Sequence, residues 1–353
     1  MSNQASSEAF PARALVVSDA WHPQINGVVR TLEGMVREAP KFGVDLQVLG
    51  PGRFRTIPMP SYPEIRLAVA QPRSIRRAIR EYQPQAIHIA TEGPLGTVAR
   101  RFCLRHNLGF TTSYHTRFPE YLAARLPVPK RLSYAYMRRF HNAATACMVA
   151  TPSLEADLQA RGFNNLVRWS RGVDLKRYYP RADVELPYEK PIFTYVGRVA
   201  VEKNLEAFLD LDLPGTKLVV GGGPALDGLT ARYQDAVFVG PKVGEELAEF
   251  YAGSDVFVFP SLTDTFGIVL LEAAASGLPV AAFPVTGPKD VITDDRVGVL
   301  SSDLKEACLA ALNLDPQDCV QFAQDHSWES TAVAFFRYLY PLKADWTVPT
   351  YDY

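Results

Sequence analysis

The chain has 353 residues, 47% of them hydrophobic, and a formal net charge of −1; this suits two soluble domains of ordinary size, each with its own core. No apolar run approaches the roughly 18 residues a membrane span needs, and the opening Met-Ser-Asn-Gln-Ala-Ser-Ser-Glu-Ala-Phe lacks a basic segment and an apolar core, so a cytoplasmic location is expected. Near-neutrality conceals a division: residues 1–170 hold 22 Lys and Arg against 11 Asp and Glu, and residues 171–353 hold 15 against 27. The basic half is expected either to meet an anionic surface or simply to attract the acidic half.

In chain order, Ala14–Ser18 reads as a strand, followed by the loop Asp19-Ala-Trp-His-Pro-Gln-Ile-Asn-Gly-Val-Val-Arg30 and a helix from about Val28. Gly27 lets backbone N–H groups approach a phosphate, although the G-x-G-x-x-G of a dinucleotide site is missing. Strands follow at Leu46–Leu49, Ala86–Ile89 and Phe110–Tyr114, with helices from about Ser74 and Gly96, which is a doubly wound α/β pattern. Arg73, Arg76, Arg77 and Arg80 fall at i, i+3, i+4 and i+7, one cationic helix face with Ile75, Ile79 and Tyr82 opposite. Arg53–Met59 interleaves cations with apolar residues, and Lys130–Arg139, with Arg131 and Arg138, adds a third basic segment. Any one of these could be a solvated face; together they favour an anionic lipid surface.

Pro180, Pro187 and Pro191 punctuate residues 174–191, which read as a linker between a first domain, 1–173, and a second, 192–335. Residues 336–353 form a tail expected to pack back on the first domain. The second domain opens with strand Ile192–Val196, and Gly197 then leads to Arg198 and Lys203, five apart at the strand end where open α/β sheets bind ligands. Strands Lys217–Val220, Ala236–Val239 and Val256–Phe259 continue the series, with Gly221-Gly-Gly-Pro224 after the first of them. After Val256–Phe259, Asp264 precedes a helix opened by Phe266-Gly267 and closed by Gly277, and Glu272 lies inside it. Such a helix start can take a diphosphate while the two acids accept hydrogen bonds from sugar or ribose hydroxyls; alone, Asp264 would be only a cap. Asp210-Leu-Asp212 ends a helix on the far side of the sheet, so no metal site is expected there. Cys103, Cys147, Cys308 and Cys319 lack the C-x-x-C spacing of a zinc knuckle. Trp328 opens the last helical pattern, to about Tyr340.

This ordered set of motifs resembles the retaining family-4 glycosyltransferases of GT-B architecture over nearly the whole chain. The resemblance implies two Rossmann-like domains facing a cleft and a nucleotide-sugar donor, with no further cofactor and no essential metal. It places Asp264 and the N–H groups of Phe266 and Gly267 on the donor sugar, Glu272 on the ribose hydroxyls, and Arg198 and Lys203 on the diphosphate. Gly27 would complete the phosphate cradle, with Gly197 and Gly223 on the donor side; His115, in Ser113-Tyr-His-Thr116, would line the sugar pocket. Asp264 is a shortened acid where the family pattern has Glu. Ser170-Arg-Gly-Val-Asp174 marks the passage between domains. Pro60–Arg66, Thr91–Gly96 and Thr263–Gly267 look most like the branch that glycosylates diacylglycerol. The implied reaction is retaining transfer of a hexose or hexuronic acid from a UDP-sugar to diacylglycerol, by front-face attack, at the inner face of the cell membrane. The alternative is a GDP-mannose-dependent mannosyltransferase acting on phosphatidylinositol or another lipid. A nucleic-acid partner is not expected, because no recognition helix or aromatic stacking platform accompanies the charge. A pyridoxal-phosphate sugar phosphorylase is a rival on the same architecture.

Overall fold

The protein is described by a computed structural model over residues 10–59, 62–123, 129–343 and 346. In the first half the elements are β1 (Arg13–Val17), α1 (Gly27–Glu38), β2 (Asp45–Leu49), β3 (Thr56–Met59), β4 (Tyr62–Ala68), α2 (Pro72–Tyr82) and β5 (Ala86–Ile89). They continue as α3 (Pro94–Arg105), β6 (Thr111–Ser113), α4 (Phe118–Ala123), α5 (Lys130–His141), β7 (Ala146–Val149), α6 (Pro152–Ala160) and β8 (Leu166–Arg168). The second half runs β9 (Ile192–Val196), α7 (Glu206–Leu209), β10 (Thr216–Val220), α8 (Leu226–Arg232), β11 (Ala236–Gly240), α9 (Gly244–Ala252) and β12 (Val256–Phe259). It closes with α10 (Ile268–Ala275), β13 (Val280–Ala282), α11 (Pro288–Val291), β14 (Gly298–Leu300), α12 (Leu304–Ala311), α13 (Pro316–Gln324) and α14 (Trp328–Tyr338).

Two parallel sheets organise these elements, in the orders β2-β1-β5-β6-β7-β8 and β11-β10-β9-β12-β13-β14. Ala86–Ile89, Ile192–Val196 and Val256–Phe259 are buried at every position; helices cover both faces of a parallel sheet, so its strands read as unbroken apolar runs. In each sheet the order reverses once, between β1 and β5 and between β9 and β12, and ligands of open α/β sheets sit outside that reversal.

Two features depart from the reading of the sequence. The basic–apolar segment at 53–59 runs into β3, which pairs antiparallel with β4 in a hairpin, where Arg66 donates to the Thr56 hydroxyl and carbonyl. Pro60 and Ser61, part of a motif singled out above, lie outside the described residues, as do residues 1–9 and 347–353. The boundary placed at 335 is displaced: Trp328, Phe335 and Phe336 share a core with Ala14, Leu32 and Met35 of the first domain. A Cβ on Gly34 would lie 2.7 Å from the Trp328 ring and one on Gly172 would lie 2.6 Å from its backbone nitrogen, so both glycines are needed for this close approach. Beyond α14, Leu342 N–H donates to Gln85 O and Pro341 bridges to Ala86. The final helix thus straps the second half onto the first. Among the described residues no helix is long and apolar enough to cross a membrane.

Candidate active site

Strands β9 and β12 are neighbours, so the loops leaving their C-terminal ends lie side by side. In the loop after β9 the Gly197 N–H is committed to Val220 O at 3.0 Å, and a Cβ there would lie 2.6 Å from the Tyr195 hydroxyl. Gly223 is equally constrained, its Cβ position lying 2.4 Å from Val199 O, while Val199 N–H donates to Gly222 O. Gly197 and Gly223, expected to touch the donor, act here as the backbone contact between two loops. That platform carries Arg198 and Lys203.

Lys203 Nζ reaches Asp264 Oδ2 at 2.5 Å, joining the loop after β9 to the loop after β12. Burial opposes the ammonium charge, but Asp264 together with Tyr121 and Tyr195 outweighs it and holds Lys203 above the ordinary lysine value. Arg198 Nη1 lies 3.8 Å from Glu202. Tyr195 of β9 and Tyr121 of α4 both lie in the field of Lys203, Asp264 and Arg198. Arg198, Lys203 and Asp264 therefore form one cluster, with Tyr121 reaching it from the other domain. Past Asp264, Phe266 is buried in the core and Gly267 turns into α10 with φ +86°, a left-handed conformation that suits glycine. Among the described residues no side chain caps α10, so its starting N–H groups and positive dipole end can face an anion.

Glu272, one turn into α10, is buried at 3% exposure and already engaged. Arg30 of α1 reaches both its carboxylate oxygens at 2.7 Å from across the cleft, and the Tyr251 hydroxyl donates to Oε2 at 3.0 Å. The Glu272 charge holds Arg30 above the ordinary arginine value. The carboxylate expected to hold ribose hydroxyls is thus satisfied by protein groups, beside a 220 Å³ cavity lined by Arg30, Tyr178, Val243, Glu272 and Trp328. No motif of the sequence assigns Arg30 a role; only its position one turn beyond Gly27 points to the cleft.

In the first domain the starts of α1 and α3 are filled by the domain's own side chains. Asn26 Oδ1 accepts from Val28 and Val29 N–H at the start of α1, which leaves only open space at Gly27, where no atom lies within 4 Å of a built Cβ. Asp19 accepts from Leu95 and Gly96 N–H at the start of α3 and from the Thr91 hydroxyl. His115 follows β6, and its carbonyl accepts from the Thr265 hydroxyl of the donor loop at 2.7 Å. Its Nδ1 faces Arg171 Nη2 at 3.1 Å, while Nε2 is buried without a partner among the described residues. Burial and then Arg171 push this imidazole well below the ordinary histidine value.

The basic residues lie elsewhere. On α2, Ile75, Ala78 and Ile79 are buried while Arg73, Arg77 and Arg80 are exposed and Arg76 is half-buried, with Arg77 paired to Glu81 at 2.7 Å. Arg131 and Arg138 are exposed on α5, Arg138 donating to Arg161 O. None of them enters the cleft cluster. Asp210 accepts from the Tyr233 hydroxyl and Asp212 pairs with Lys305, so the two aspartates serve separate surface contacts. Among the described residues no three His, Cys, Asp or Glu side chains gather as a metal would need.

Two doubly wound domains, with a cationic and acidic cluster at the sheet reversal of the second, define a GT-B glycosyltransferase. Residues 25–177 match Glycosyltransferase Family 4 and residues 190–314 match Glycosyl transferases group 1. A GDP-mannose-dependent alpha-mannosyltransferase of Mycobacterium tuberculosis is 31% identical over 82% of this chain and 83% of its own. A sulfoquinovosyl transferase of Arabidopsis thaliana is 33% identical over 77% of this chain and 55% of its own. Among solved structures, sucrose-phosphate synthase of Thermosynechococcus elongatus superposes with TM-score 0.76 at 20% identity, over 92% of this chain and 98% of that one. The chain belongs to glycosyltransferase family 4 and is a nucleotide-sugar-dependent hexosyltransferase.

Proposed function

We propose that the protein transfers a hexosyl unit, with retention, from a nucleoside-diphosphate sugar to the hydroxyl of a diacylglycerol-type membrane lipid. The observation that carries the donor half is the cluster of Arg198, Lys203 and Asp264 beside the uncapped start of α10. Breaking the sugar–phosphate bond builds negative charge on the leaving diphosphate, and these cations with the α10 N–H groups can stabilise it. Closure of the two domains brings His115 and Tyr121 to the same place. In this reading no divalent ion is required, and turnover persists in excess chelator.

The acceptor half rests on the outer layer of α2 and α5, where the exposed arginines accompany an exposed Leu132 and Tyr136. Cations near an anionic leaflet contribute about 1 kcal/mol each, which favours peripheral attachment at the inner membrane face. Motif resemblance to the diacylglycerol-glycosylating branch supports that acceptor, and UDP-glucose or UDP-glucuronate is the donor it implies. A second reading, GDP-mannose-dependent mannosyl transfer to phosphatidylinositol or another lipid, is favoured by the similarity to the mycobacterial enzyme over most of both chains. Incubation with UDP-glucose, UDP-glucuronate or GDP-mannose and vesicles of either lipid, followed by mass spectrometry of the lipid product, separates the two. No glycolipid from any combination would sink both.

A further inference from the structure

Arg171 is buried at 4% exposure, and the groups around its guanidinium are carbonyls, an indole and an imidazole. Nη1 donates to Trp169 O at 2.6 Å and Ser170 O at 3.0 Å, and the guanidinium carbon lies 4.3 Å from the Trp169 ring centre. Two carbonyls and an aromatic face therefore fix its plane. A second nitrogen, Nη2, meets His115 Nδ1. A guanidinium has only donors, so Nδ1 must present its lone pair; in a neutral ring the proton then sits on Nε2. That Nε2–H is buried with no acceptor among the described residues, on a residue whose carbonyl is tied to Thr265 in the donor loop.

We propose that Arg171 is a positioning residue that locks His115 as the neutral Nε2–H tautomer, so that the ring donates a hydrogen bond to an oxygen of the donor's hexosyl group and is withheld from proton transfer. The assignment rests on the glycosyltransferase reading for the identity of that oxygen. His115 is faced by Arg171, by His88 of β5, by His141 of α5, and edge-on by Trp169. His88 is itself occupied on both nitrogens, by Thr111 and Ser113 hydroxyls, and His141 by Thr112 and Glu92. Arg171 is thus the neighbour that dictates the tautomer.

The test is proton–nitrogen NMR of the full chain labelled with ¹⁵N-histidine, the His115 signals among the six histidines being assigned by their loss in His115→Gln. In the wild-type protein Nδ1 is expected unprotonated and Nε2 protonated from pH 5 to 8, with no substrate present. In Arg171→Met the Nδ1–H form is expected to appear and protonation to move to higher pH, with kcat down on the order of 10–100-fold, the scale seen when the partner orienting a functional histidine is lost. Arg171→Lys, which keeps one cationic donor, should recover part of both. A wild-type ring that is doubly protonated at pH 7 or carries its proton on Nδ1 overturns the proposal even if Arg171→Met fails to fold. So does a folded Arg171→Met with unchanged tautomer or unchanged kcat. Failure of the wild-type chain to turn over any nucleotide sugar would count against the function, whereas the spectrum is read without a donor.

Discussion

The two halves of the cleft use the same fold differently. In the first domain, α1, α3 and α6 begin with their N–H groups taken by Asn26, Asp19 and Thr151. In the second, α10 begins at a left-handed glycine with no side-chain cap among the described residues, beside Lys203 and Arg198. A helix start binds an anion only while its donors are unclaimed, so the proposed diphosphate site falls in the acidic half, and the basic half carries exposed arginines on α2 and α5. Overall charge is a poor guide to where a charged ligand sits; local donors decide.

The largest effect expected is on turnover. Lys203→Ala and Glu272→Ala should each lower kcat by about 10²–10³, the usual loss when one donor to developing charge or its anchoring partner is removed. Circular dichroism would confirm folding, and near-wild-type rates in either folded variant would erase the contrast between the halves. Replacing Arg76, Arg77 and Arg80 by Gln together should weaken binding to anionic vesicles on the order of 10–100-fold. Nucleotide affinity should be unaffected; sedimentation with vesicles and titration calorimetry read the two separately. Loss of nucleotide binding in this variant would mean that the outer face and the cleft are coupled.

Arg30 joins the halves, so its removal sharpens the comparison. Arg30→Met leaves Glu272 with tyrosine partners only, and unfolding stability should fall by up to about 3 kcal/mol. Because the ribose hydroxyls then lose their charged competitor for Glu272, the stabilisation produced by saturating nucleotide should grow. A thermal shift no larger than that of the wild type would show that Arg30 does not compete. The most gradual effect concerns pH. Burial holds His88 down at about 3 and His115 well below 6.5, whereas the unfolded chain charges both below about pH 6.5. The unfolded state therefore binds more protons in acid, and stability should fall as pH drops below about 6.5, by up to about 1.4 kcal/mol per unit for each group. For His141, burial lowers its value but Cys147 and Glu92 outweigh that and raise it to about 10. Its contribution is complete below about pH 6.5 and fades toward 10. Unfolding midpoints at pH 5, 7 and 9 check both limbs, and a flat profile would contradict these assignments.

The strands, the helix starts and the order of motifs were legible in the sequence because they depend on local chemistry. Val256–Phe259 is an apolar run, Gly267 and Gly277 punctuate the helix between them, and Ile75 with Ile79 faces inward at helical spacing; each can be read within a few residues. The resemblance of those motifs to a family then supplied roles for Asp264, Glu272 and Lys203. Tertiary structure alone decided who meets whom. Glu272 is answered by Arg30, 242 positions away, Lys203 by Asp264, 61 away, and His115 by Arg171, 56 away. Lys203 meets Asp264 because strand order reverses between β9 and β12, Glu272 meets Arg30 where the halves that α14 straps together face each other, and His115 meets Arg171 because both leave the same end of the first sheet. Neither reversal nor strapping leaves a periodic trace in the chain, since each is set by packing between elements and not by the spacing of residues within one.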